Sequence, residues 1–70
     1  MHTIYSPLGG RVIEHCFSVD AKVAAGDALL LVESMKMEIP VEAEQDGTIV
    51  RYLVQVGEDV AEGDAVVELV

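Results

Sequence analysis

The sequence predicts an all-β fold made of two similar layers packed face to face. Three observations lead there: an apolar half that is aliphatic and β-branched, short apolar runs punctuated by turn residues, and an internal repeat. Hydrophobic residues make up 51% of the chain and aromatics only 4%, so the core must be built from aliphatic side chains. Valine dominates them, and its branched Cβ suits a pleated surface and disfavours helix. No stretch sustains a helical period over three turns, and the runs are spaced like those of sandwiches and barrels.

The repeat emerges when residue i is set against residue i+37, with no gap. Gly10 falls on Gly47, Val12-Ile13 on Ile49-Val50, Val19 on Val56, Val23 on Val60 and Leu29 on Val66. "VAAGDALLLV", from Val23 to Val32, falls on "VAEGDAVVEL", from Val60 to Leu69. Valine matches alone could arise by chance in such a chain. Matching Gly-Asp pairs, Gly26-Asp27 and Gly63-Asp64, are harder to obtain that way.

The elements follow in order. Repeat one runs from about Ser6 to Val32 and reads as about four short strands, with Gly26-Asp27 as a turn in which Gly supplies a positive φ. A connector follows, holding Glu33, Ser34, Met35, Lys36 and Met37. Repeat two runs from about Ala43 to Leu69, with Gly63-Asp64 as its turn. Neither half alone can bury its apolar face, so the two must fold together. Under the same offset Glu33 corresponds to Val70 and Glu38 to Met1. A pseudo-two-fold axis therefore brings the termini together at one end and sends Lys36 out at the other.

Seventy residues make a single domain, 1–70, and one of this size buries only roughly 60% of its unfolded surface. Cys16 is the only cysteine, so no disulfide can add stability, and a lone thiol points to a reducing, cytoplasmic setting. The net charge of −9 argues against nucleic-acid binding and against adhesion to anionic membranes, because no basic patch exists to displace counterions. It favours partners with basic docking faces. No apolar run approaches the length of a membrane span.

Few residues outside the connector suggest chemistry. Asp27, Glu58, Asp59, Glu62 and Asp64 cluster near the repeated turns but do not form a calcium loop, and solubility and docking are the roles expected of them. His2, His15 and Cys16 lack metal-ligand spacing, and Cys16 reads as a small buried hydrophobe. Neither a catalytic triad pattern nor a phosphate-binding glycine loop is present. The reading is of no catalytic residue and no metal.

The connector is different. "ESMKM" places Lys36, one of only two lysines, between two methionines. A lysine at a hairpin tip is ordinarily a solvated charge. Exposed turn positions, however, favour Gly, Asn or Asp, and flexible, polarizable methionines are more typical of recognition surfaces.

These residues carry a resemblance. Met35-Lys36-Met37, preceded by Glu33-Ser34 and followed by Glu38, resembles the attachment site of biotinyl domains, the biotin carboxyl carriers of biotin-dependent carboxylases and decarboxylases. "SPLGGRV", at residues 6 to 12, is similar to that family's Ala-Pro-Met-Pro-Gly-x-Val opening, and "VAAGD" and "VAEGD" resemble its paired turns. The likeness covers nearly the whole chain. It departs at Ser34, where many members have alanine, and at Gly9, where the family has a second proline. The gapless repeat leaves no room for the protruding "thumb" of certain bacterial carriers, so the likeness is to the thumbless type.

The resemblance implies a flattened β-barrel, or barrel-sandwich hybrid, of two four-stranded antiparallel sheets. It implies biotin joined by an amide to Lys36, with Met35 and Met37 flanking it as recognition residues. It implies a biotin protein ligase, a biotin carboxylase and a carboxyltransferase or decarboxylase as partners. No basic neighbour or burial signal is present to activate the Lys36 amine, so the ligase supplies activation and this domain presentation. The alternatives are a lipoyl domain of a 2-oxo acid dehydrogenase-type complex, whose turn has an acidic residue directly before the lysine, and an unmodified structural domain of the same fold.

Overall fold

The structure, a computed structural model, describes all 70 residues. Its strands are β1 (His2–Tyr5), β2 (Gly10–His15), β3 (Lys22–Val23), β4 (Ala28–Ser34), β5 (Met37–Glu42), β6 (Gly47–Tyr52), β7 (Asp59–Val60) and β8 (Ala65–Leu69). They form two antiparallel sheets, ordered β1-β8-β6-β3 and β5-β4-β2-β7. No helix is long and apolar enough to cross a membrane.

Adding 37 to the residue numbers carries β1 to β5, β2 to β6, β3 to β7 and β4 to β8, and turns the first strand order into the second. Two similar layers are present, yet neither layer is one half of the chain. Each sheet takes two strands from each half. This interleaving is why neither half can close a core alone.

The expected pair of four-stranded antiparallel sheets is present, and of the expected barrel-sandwich hybrid the structure is the flattened sandwich and not a closed barrel. A closed barrel needs a ladder that runs on from one sheet to the next. The edge strands β3 and β7 have only two residues each and pair only with β6 and β2, so each sheet ends there. The other edges are β1 and β5. Pro40 in β5 removes a donor from its edge, which discourages pairing with another chain.

The core obeys the repeat closely. Ile4 and Val41, Val12 and Ile49, Val23 and Val60, Leu29 and Val66, Leu30 and Val67, and Val32 and Leu69 are all buried as counterparts. The two remaining core residues, Ala43 and Val54, match the buried Ser6 and Phe17, which packs against the core. Leu29 and Leu30 are adjacent and both buried, which a regular strand forbids. A register shift between Ala28 and Leu30 resolves this, since a bulge re-aims successive side chains.

The repeat also extends further than its side chains reveal. β1 and β5 lie outside the limits read from sequence, Ser6 and Ala43, because only Ile4 and Val41 among their residues match in character. On the symmetry axis, His15 stacks on its own counterpart Tyr52, with ring centroids 3.8 Å apart and planes 3° from parallel. His15 Nε2 meets the Val54 carbonyl at 2.9 Å and the Tyr52 hydroxyl lies 2.9 Å from the Phe17 carbonyl, the same bond on each side.

Candidate functional site

β4 and β5 form a hairpin closed by the pair Ser34 and Met37, which leaves Met35 and Lys36 as a two-residue loop. Their φ angles are 53° and 65°. Two successive positive values are what a type I′ turn requires, and its twist matches that of the flanking strands. Asn-Gly would satisfy this turn with little strain. A residue with a Cβ pays roughly 1–2 kcal/mol to sit there, so this turn gives up stability to keep Met35 and Lys36.

All three residues singled out from the sequence come together at this tip. Lys36 is exposed, Met35 is 93% exposed and Met37 is 63% exposed. The connector is narrower than expected, because Glu33 and Ser34 end β4 and Met37 begins β5. None of the three ion pairs includes Lys36. Directly below the turn, Glu33 faces Glu38 across the ladder. Like charges in that position repel, a second local cost at the same place.

Two features anchor the hairpin at depth. Val32 and Val41 are buried in the core, so the base of the hairpin cannot swing. Gly10 lies against its upper part, where an added Cβ would stand 2.4 Å from the Glu33 carbonyl oxygen and 2.7 Å from Val32 Cγ1. That supporting role was missed from the sequence. The pairing of Gly10 with Gly47 in the repeat was the signal available. The ends of the chain lie together, since His2 pairs with Leu69, and the symmetry exchanges that place with the Lys36 turn.

Four of the five acidic residues read as solubility and docking groups also make local bonds. Asp27 accepts the Ala24 N–H at 2.9 Å and Asp64 the Ala61 N–H at 2.8 Å, so each holds its own Gly-containing turn. Glu58 accepts the Gln55 N–H at 2.8 Å, and Asp59 lies 3.4 Å from Arg11 Nε. His2 pairs with Glu44 at 3.1 Å. Cys16 is half-buried rather than buried, because it lies just past the end of β2. Its thiol is pushed up from the ordinary value by burial and, to a lesser degree, by Glu14.

Comparison with known proteins identifies the family. The family model for biotin/lipoyl domains, described as "Biotin-requiring enzyme", matches residues 2–69. The mitochondrial methylcrotonoyl-CoA carboxylase subunit alpha of Arabidopsis thaliana is 38% identical over 63 residues, which span 90% of this chain and 9% of that protein. A biotinylated protein TB7.3 homolog from Mycobacterium leprae is 42% identical over 55 residues, spanning 79% of this chain and 78% of the relative. The crystal structure of Kluyveromyces lactis urea carboxylase superposes with a TM-score of 0.94 and 33% identity, over 99% of this chain and 6% of that one. With a family match across residues 2–69 and a short relative matched over most of its length, the chain belongs to the biotin/lipoyl family of biotin-requiring enzymes.

Proposed function

We propose that residues 1–70 act as one carrier domain that bears biotin on Lys36 and passes a carboxyl group between partner active sites. The observation that carries this reading is the Lys36 turn: a rigidly based hairpin whose two loop residues accept left-handed strain to expose an unpaired amine. The site fits an amide-linked group, because the ammonium is exposed and has no ion-pair partner. Lys36 Nζ, deprotonated in a ligase, attacks the acyl carbon of biotinyl-adenylate. The amide bond forms and AMP leaves with the bonding electron pair. Once joined, biotin supplies the ring nitrogen that carries the carboxyl group from a biotin carboxylase to a carboxyltransferase or decarboxylase.

Reach decides how the domain works. The lysine and valeryl chains give about ten bonds of roughly 1.5 Å, on the order of 12 Å when extended. The domain itself is 30 Å long. Partner sites farther apart than about twice the arm require the whole domain to move, and tethering keeps its effective concentration high. A reducing compartment such as the cytoplasm suits the free Cys16.

Intact mass after expression with a biotin protein ligase tests the assignment. Addition of one biotin, mapped by peptide digestion to Lys36 and not to Lys22, is expected. A lipoyl increment, or none, would overturn it in favour of a lipoyl or an unmodified domain.

The methionines should matter after modification more than before it. The ligase needs mainly a placed lysine on a folded hairpin, whereas the carboxylase must also accept the turn's surface. Met35→Ala and Met37→Ala are each expected to label at nearly the wild-type rate. Loss of about 1 kcal/mol of apolar contact in the carboxylase would lower transfer turnover roughly fivefold. Equal turnover in wild type and both variants would contradict this.

A further inference from the structure

The loop that presents Lys36 also presents the most open oxidisable sulfur in the chain. Met35 is 93% exposed, against 79% for Met1 and 63% for Met37. Its side chain belongs to the turn and not to the core, which contains no methionine. Cys16, the one thiol, is half-buried. Burial and Glu14 hold more of it in the unreactive protonated form, since the thiolate is what oxidants attack.

Resting on the carrier reading, we infer that Met35 is a reversible oxidation site whose sulfoxide lowers acceptance of the Lys36 arm by its carboxylating partners. The step is an oxygen transfer. A lone pair on Met35 Sδ attacks one oxygen of hydrogen peroxide, the O–O bond breaks, and water leaves after proton transfer. Sulfur is oxidised by two electrons and the peroxide is reduced. Return requires a dithiol reductant, which becomes a disulfide as the oxygen departs as water.

The location makes this a switch and not simply damage. Oxidation of a core methionine introduces a polar, chiral group among apolar neighbours and disrupts packing. Met35 has no such neighbours to lose, so its sulfoxide leaves both sheets and the pairing of Ser34 with Met37 intact. What changes is the surface beside Lys36. An apolar, adaptable side chain becomes strongly hydrated, and a partner must then desolvate the sulfoxide to seat the turn.

The test oxidises the biotin-free domain with hydrogen peroxide, because biotin has a thioether of its own that would compete. Peptide mapping then follows the added oxygen, the domain is labelled by ligase, and carboxyl transfer is measured with a biotin carboxylase. Met35 is expected to reach half-conversion before Met37, with denaturation midpoint unchanged. Transfer should fall at least threefold and recover after treatment with a methionine sulfoxide reductase. At a peroxide dose that converts Met35 in the wild type while Met37 stays unoxidised, Met35→Leu, compared with its own untreated sample, should lose no activity.

Faster oxidation of Met37 than Met35 would overturn the inference. So would full transfer by labelled domain with sulfoxide confirmed at Met35, or an equal loss in Met35→Leu. Those outcomes leave the carrier reading standing. Failure of the untreated domain to accept biotin would overturn both.

Discussion

Lys36→Arg is expected to remove all avidin-detectable label while the domain remains folded. Arginine retains the positive charge and most of the side-chain length, but its guanidinium stays protonated and offers no neutral amine to an acyl group. The stability change should be within about 0.5 kcal/mol, because Lys36 is exposed and belongs to none of the ion pairs. The backbone strain at φ 65° is common to both residues and cancels. Lys22→Arg is the matched control. Lys22 is exposed on the short edge strand β3, where it pairs with Thr48, far from any turn of the Lys36 kind in sequence. It should label as wild type does. Label retained in Lys36→Arg would place the attachment elsewhere and end the assignment.

Gly26→Val and Gly63→Val are each expected to cost about 1–3 kcal/mol, a large fraction of a stability that is typically about 5–15 kcal/mol. The two glycines have φ of 92° and 90°. An added Cβ would meet nothing within 4 Å at either, so the Cβ itself meets no clash and the loss comes chiefly from the backbone. The surroundings are mirrored as well. Gly26 N–H bonds the Ala43 carbonyl at 2.8 Å, and Gly63 N–H bonds the Ser6 carbonyl at 2.8 Å. The two losses should therefore be similar. Denaturant midpoints should fall with unchanged slope, and labelling of Lys36 should drop only as the unfolded fraction rises, including in Gly63→Val, whose turn lies in the other half of the repeat. Two fully stable variants would show that these turns do not constrain the fold.

The signals that were legible were those in which side-chain type and backbone need coincide. Gly26 and Gly63 announced left-handed turns because only glycine is comfortable there, and Asp27 and Asp64 recurred beside them because each caps its own turn. Lys36 stood out because its neighbours were wrong for an ordinary turn. Asp20 was not legible. It occupies the place of Gly57, with φ of 75° against 96°, and donates the equivalent backbone bond, to the Ile49 carbonyl where Gly57 uses that of Val12. An aspartate in that conformation is held by its surroundings and leaves no mark in the composition. Gly10 was legible as a repeated residue but not as the one that lets β2 approach the end of β4.

By itself, the sequence determined the β character, the duplicated aliphatic core, the paired Gly-Asp turns and the single lysine set between methionines. Each of these rests on local conformational preference or on a periodicity that any pairing of the strands must satisfy. Only the tertiary structure decided that the halves interleave across both sheets, that the sheets stay open as a sandwich, and that β1 and β5 complete the symmetry. It also decided that bulges bury Leu29 beside Leu30. These are matters of long-range hydrogen bonding between backbone groups, which are the same in every residue. Side chains constrain them only through the burial they permit, and several pairings of short valine-rich strands permit nearly the same burial.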